Sequence, residues 1–155
     1  MKRTTIAAVI AAAFSFAAQA GECPADKRVA DGQGQKMAAH GAKEVTDTVI
    51  ASTDLSKEKV GLRDYLFRAR KLVIKPGGIV PWHSHGERPA MIYMVKGTIT
   101  EYASTCAVPI VHRAGDIAPE MNMTSHWWQN TGKETVELIS VDIFPPQMKR
   151  EERMM

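Results

Sequence analysis

Gly77-Gly78-Ile79-Val80-Pro81-Trp82-His83-Ser84-His85-Gly86-Glu87-Arg88-Pro89-Ala90-Met91-Ile92-Tyr93-Met94-Val95-Lys96-Gly97 is the stretch that decides how this chain is read. His83 and His85 are one residue apart. On an extended strand, positions i and i+2 face the same side, so both imidazoles can grip one cation. A third histidine, His126, stands in a second patterned stretch that begins at Gly115 and ends in Trp127-Trp128-Gln129-Asn130. Metal binding needs neutral imidazoles, each presenting a lone pair without rearrangement. A lone His-x-His pair is commonly a surface coincidence, but this one stands among apolar residues beside Pro81 and Trp82.

Outward from that stretch the signals are those of short strands. Tyr65–Lys75 carries Leu66, Phe67, Leu72, Val73 and Ile74 and runs into Pro76-Gly77-Gly78, which predicts a strand followed by a turn. Ile79–His85 predicts a second strand, and Ala90–Val95 with Thr98–Ala103 a hairpin about Gly97. Val108–His112 and Asp116–Ala118 flank a turn at Ala114-Gly115. His126–Gln129 and Thr135–Phe144 supply the last strands, and Pro145-Pro146 ends them. Upstream, Val45–Ala51 predicts a short strand and Asp54–Glu58 a turn capped by Asp54 or Ser56. No repeat and no convincing helical period interrupts the series. Many short strands punctuated by Gly and Pro indicate an all-β sandwich or small barrel.

The two histidine stretches resemble the paired motifs of the cupins. The first, Gly-x5-His-x-His-x3–4-Glu-x6-Gly, places Gly77, His83, His85 and Gly97 in register; the second, Gly-x5-Pro-x-Gly-x2-His-x3-Asn, places Gly115, His126 and Asn130. The resemblance spans residues 62–144 and implies a single small jelly-roll β-barrel with an irregular N-terminal arm. It implies one divalent transition metal held by His83, His85 and His126. Two departures matter. Ala90, or Pro89 in the shorter spacing, stands where the family has its glutamate ligand, and Met121 and Met123 stand where Pro and Gly are usual. The expected consequence is a three-histidine site with open positions, similar to cupin dioxygenases that hold Fe(II). Zn, Mn, Ni or Cu remain alternatives, since three imidazoles accept several ions. Glu87 is the candidate fourth ligand, and a decayed, metal-free site is the third reading.

Met94, Met121 or Met123 could add a thioether for copper, but core filling is the plainer role for methionine. Trp128 shares strand parity with His126 and is a candidate pocket wall together with Met94; Tyr93 has the outward parity. Glu87 and Arg88 are expected at a rim, where an arginine binds a carboxylate or is simply solvated. The expected function is a metal-dependent enzyme on a small organic substrate, with dioxygenase chemistry favoured and isomerase or lyase chemistry open. The alternative is a non-catalytic cupin that binds a metal or small ligand. Neither Asp116 nor Glu120 can be placed as a base from sequence. A homodimer is implied by the resemblance alone.

Residues 1–20 read as a signal peptide: Lys2 and Arg3, an apolar run, then Ala18-Gln19-Ala20. The run is short for a membrane span, and cleavage after Ala20 predicts a periplasmic or secreted protein with no membrane attachment. Residues 21–60 are assigned to the N-terminal arm, 61–146 to the barrel and 147–155 to a disordered tail. Without residues 1–20 the chain has 18 Lys and Arg against 17 Asp and Glu. Such a balance, without a basic block, argues against nucleic acid as a partner. The only cysteines, Cys23 and Cys106, are an even pair for an oxidising compartment, and a disulfide between them is expected. His40, beside Gly41, is expected to be a solvated loop residue.

Overall fold

The computed structural model describes residues 21–37 and 41–145. The expected signal peptide, His40 and the expected tail therefore lie outside the described residues. Eight strands follow in order: β1 Lys43–Asp54, β2 Leu66–Ser84, β3 Ala90–Lys96, β4 Thr98–Ala103, β5 Ile110–Arg113, β6 Ile117–Glu120, β7 Ser125–Gln129 and β8 Val136–Phe144. They form one sheet in the order β5-β4-β7-β2-β8-β3-β6, with β1 pairing antiparallel along β2. The sheet is rolled into a nearly closed barrel. Its inner face shows why: Ile99 of β4, Trp128 of β7, Ile74 and Val80 of β2, Leu138 of β8 and Met94 of β3 belong to one buried cluster. Alternation decides which residues enter it. Along β8, Val136, Leu138, Ser140, Asp142 and Phe144 are buried while the residues between them are not.

Two expectations need correction. Pro76-Gly77-Gly78 does not end a strand; β2 runs 19 residues through it. The reason is a change of partner. Leu66–Ile74 pairs with β8, whereas Ile79–Ser84 pairs with β7. Gly77 adopts φ +75°, a left-handed conformation that lets the strand bend between its two ladders. Asn130 secures the bend from the far side, its Nδ2 donating to the carbonyls of Ile74 (3.0 Å) and Glu134 (2.7 Å). The early strand is also longer than expected, since β1 covers Lys43–Asp54 and belongs to the sheet. Asp54 does cap the following 3-10 turn, accepting from Ser56 N at 3.0 Å.

Cys23 and Cys106 form a disulfide, with Cα atoms 5.8 Å apart. It ties the N-terminal arm to the β4–β5 connection. Backbone bonds support the same docking, among them Val29 N to Thr105 O and Gly34 N to Ser104 O.

Candidate metal centre

The end of β2 carries His83, His85 follows one residue beyond the strand, and β7 carries His126 directly opposite His83 in the ladder. The barrel curvature turns all three rings to one point. The three Nε2 atoms lie 3.1 Å from one another. Each Nδ1 faces an acceptor: the Pro81 carbonyl for His83 (2.9 Å), the Arg88 carbonyl for His85 (2.8 Å) and Glu101 Oε1 for His126 (2.7 Å). Trp128 Nε1 also approaches His126 Nδ1, at 3.0 Å, but the closer Glu101 oxygen is the acceptor for the His126 proton; with each Nδ1–H so donated, each Nε2 presents its lone pair inward. Three converging lone pairs repel unless a cation lies among them. A triangle of this size is subtended at about 95–100° by an ion ~2.0–2.1 Å from each nitrogen. That is between an octahedral face and a tetrahedral one, so the donor set fits a transition metal with open positions.

The local field keeps the His83 and His85 rings neutral. Burial, then the neighbouring His126 and Arg88, lowers the His85 pKa to about 2. Burial, then the other two histidines, holds His83 well below its usual value. Unfolded histidine takes up a proton below about pH 6.5 while these folded rings do not. The two rings therefore contribute stability that is lost as pH falls from about 6.5. Glu120 acts in the opposite sense, because burial and then the charge of Glu101 raise its pKa well above normal. The net uptake on unfolding therefore rises from about zero near pH 6.5 to about one proton near pH 5. Metal-free protein should lose little stability per pH unit near pH 6.5 and on the order of 1.4 kcal/mol per pH unit near pH 5. Urea titrations across that range check this; a flat profile would contradict neutral, buried imidazoles.

Glu101, which the sequence reading missed, organises the far side of His126. Its Oε1 accepts from His126 and its Oε2 from His112 Nε2 at 2.8 Å. Burial alone would raise its pKa, but the hydrogen bonds from His112 and His126 prevail and hold it at about 2. A signal did exist: Glu101 and His112 stand at inward parity between apolar neighbours, Ile99 and Ala103 on one strand and Ile110 on the next. Because Glu101 fixes the tautomer of His126, Glu101→Gln should weaken metal binding by about 10–100-fold. Competition with a chelator reads this out, and an unchanged affinity would mean that His126 is held by packing alone.

The other candidates are placed as follows. Glu87 is exposed, and its carboxylate is not among the ligand atoms grouped with the histidines. Trp128 is buried, stacks on His112 at 4.4 Å and meets His126 edge-on at 5.7 Å, so it separates the centre from the apolar core. Met94 lies within that core and is fully buried. Met121 is half exposed and Met123 is 61% exposed. Tyr93 faces outward, as its parity predicts. Arg88 corrects the expectation of a solvated rim: it is 1% exposed, because the β2–β3 turn folds its guanidinium over the barrel toward Asp142. Ala90 is buried and registers with Glu120 on one side and Asp142 on the other.

Beside the centre lies a cavity of about 410 Å³, walled by the N-terminal arm and by inward residues of β4, β5 and β6, with Glu101 and Glu120 among them. Glu120 Oε2 is 3.3 Å from His126 Nδ1. The two glutamates and the three-histidine cluster thus flank His126 and share only that residue.

Fold and site together define a small, nearly closed β-barrel in which three converging histidines could hold a metal ion. A family profile described as "Cupin domain" matches residues 70–142, which include all three histidines. No curated protein sequence matches the chain. Among solved structures, a predicted oxalate decarboxylase from Thermotoga maritima is similar at TM-score 0.55 and 19% identity, over 79% of this chain and 98% of that one. An uncharacterised protein with a double-stranded β-helix domain from Klebsiella pneumoniae gives 0.52 and 17%, over 74% and 86%. The cupin domain of an XRE-family transcriptional regulator from Enterobacter cloacae gives 0.51 and 8%, over 66% and 99%. At these identities the likeness is one of fold.

Proposed function

We propose that this protein is an exported metalloenzyme of the cupin type, holding one divalent first-row transition metal through His83, His85 and His126 and acting on a small organic substrate. Oxygenolytic cleavage with Fe(II) is the leading chemistry. The observation that carries this reading is the Nε2 triangle with all three Nδ1 atoms tied back, an arrangement with no structural purpose in an apolar core. The metal, when bound, supplies Lewis acidity and, as iron, redox capacity. The chain's own residues orient and seal the site. Pro81, Arg88 and Glu101 fix the rings, and Trp128 stands edge-on to His126 on the side facing the core. Ala90 leaves only a methyl group where a fourth ligand would otherwise project. His83 is half-buried, which gives a small molecule an approach from solvent. The disulfide supports export, because such bonds persist in oxidising compartments.

A second reading, a non-catalytic cupin that binds a metal or small ligand, is favoured by one observation: among the described residues, no carboxylate joins the three-histidine group. Metal analysis of protein purified without a histidine tag separates the two. Stoichiometric iron with O₂ uptake on a panel of diketones, thiols and aromatic diols supports the enzyme. Zinc or copper without turnover supports the binding protein. No metal, with unchanged stability of His83→Ala, sinks both.

A further inference from the structure

We propose that the outer face of the sheet across β6, β3, β8 and β2 is a docking surface for a second copy of this chain. Strand β8 carries its polarity inside out. Its buried side chains include Ser140 and Asp142, whereas Ile139, Val141 and Ile143 point outward and are only half-buried. The register sets these three level with apolar residues on the neighbouring strands. Val141 stands beside Met91 of β3 and Ala69 of β2, and Met91 beside Pro119 of β6. One row on, Ile139 is level with Tyr93, and Tyr93 with Ile117. In the other direction, Ile143 is level with Phe67. Phe67, Met91, Tyr93 and Ile117 are 47–58% exposed. A solvated sheet face is ordinarily polar, with its apolar side chains turned to the core. Contiguous apolar surface of this kind marks an interaction site.

Charge, area and the rest of the chain select the occupant. Among the described residues, no charged side chain interrupts these rows before Lys71, whose ion pair with Glu137 stands at their border. The face therefore offers a foreign partner no charge to pair with, while under a twofold axis it meets its own like. With strands ~4.8 Å apart and outward residues ~6.6 Å apart along each, four strands by three rows give a footprint of roughly 400 Å². That is about half of the ~800 Å² each partner buries in a standard interface, the share of an apolar centre inside a polar rim. Sheets also pack readily face to face, at a spacing of ~10 Å. The chain beyond Pro145 is a poor cover for this face, since Lys149, Arg150, Glu151, Glu152 and Arg153 make half of residues 146–155 charged. The inference does not require the metal reading, because the face is on the outside of the barrel and the three histidines converge within it.

Sedimentation equilibrium of the protein over about 1–100 μM tests it, and a dimer with a micromolar or tighter dissociation constant is expected. Met91→Lys and Tyr93→Lys each place two unpaired ammonium groups in the twofold contact and should weaken it by about a hundredfold or more. Both parent side chains are about half exposed in the single chain. The unfolding midpoint of each variant should therefore equal that of the parent diluted below its dissociation constant, which separates lost docking from lost folding. Val111→Lys, at an exposed position on β5, should leave the dimer intact. A parent that stays monomeric across the range overturns the proposal. So does a dimer that both Met91→Lys and Tyr93→Lys retain, or one that Val111→Lys dissociates as readily as they do. Binding of monomeric parent to phosphatidylcholine vesicles would overturn it as well, making the face a lipid contact.

Discussion

Replacing His126 by alanine is expected to lower the affinity for a divalent transition metal by about a hundredfold to a thousandfold. Structural four-ligand zinc sites bind with roughly 10–16 kcal/mol, so one ligand is worth a few kcal/mol. His83→Ala and His85→Ala should fall in the same range, since the three nitrogens form an even triangle with 3.1 Å sides. His126→Ala should differ from them in one respect. It also removes a donor from Glu101, leaving a buried carboxylate with His112 alone. The metal-free variant should therefore be less stable than metal-free His83→Ala, whose lost bond was to a backbone carbonyl beside solvent. Chelator competition gives the affinities and urea denaturation of metal-free protein gives the stabilities. Metal binding that survives all three substitutions would place the ion elsewhere and end the functional reading.

The histidine convergence was legible because its determinants are local. His-x-His on a strand fixes two rings to one face, and the spacing from Gly115 to Asn130 places the third on a neighbouring strand. The barrel was legible from strand alternation and from glycines at turns such as Gly97, whose φ of +83° joins β3 to β4. What the sequence did not disclose depends on which strands become neighbours. Glu101 and His112 meet because β4 pairs with β5, and they meet His126 because β4 also pairs with β7. Pro76-Gly77-Gly78 carries the local marks of a turn, but ladders with β7 and β8 on either side hold it as a bend within one strand. Arg88 looked like a rim residue because nothing near it in sequence announces Asp142, 54 positions further on. Buried charges are the least local feature of this fold, and they form its most consequential unread cluster.

Asp142→Asn is expected to cost about 3–5 kcal/mol of folding stability, the range for removing one partner of a buried ion pair. Asp142 accepts two bonds from Arg68, at 3.0 and 2.7 Å, and lies 3.6 Å from Arg70 Nε and 3.8 Å from Arg88 Nε. All four side chains are at most 5% exposed. The nearby carboxylate of Asp47 pairs with Arg70. Among the described residues, Arg68, Arg70 and Arg88 thus gather around the carboxylates of Asp142 and Asp47, and the asparagine variant removes the one that all three approach. Burial, then the charge of Arg70, lowers the Arg88 pKa to about 10, but that still leaves it charged at neutral pH. Neutralising Arg88 by proton loss therefore cannot relieve the imbalance cheaply. An exposed pair on the same sheet, Lys71–Glu137, provides the contrast: its side chains are 44% and 29% exposed, and removing it should change stability by about 0–1 kcal/mol. Urea midpoints with an unchanged slope would report the two effects on one scale. Adding Arg68→Met to Asp142→Asn should recover part of the loss, since it removes one stranded cation along with its carboxylate. If Asp142→Asn costs no more than the surface pair, water reaches this cluster, and the barrel interior is wet between β2 and β8 rather than sealed.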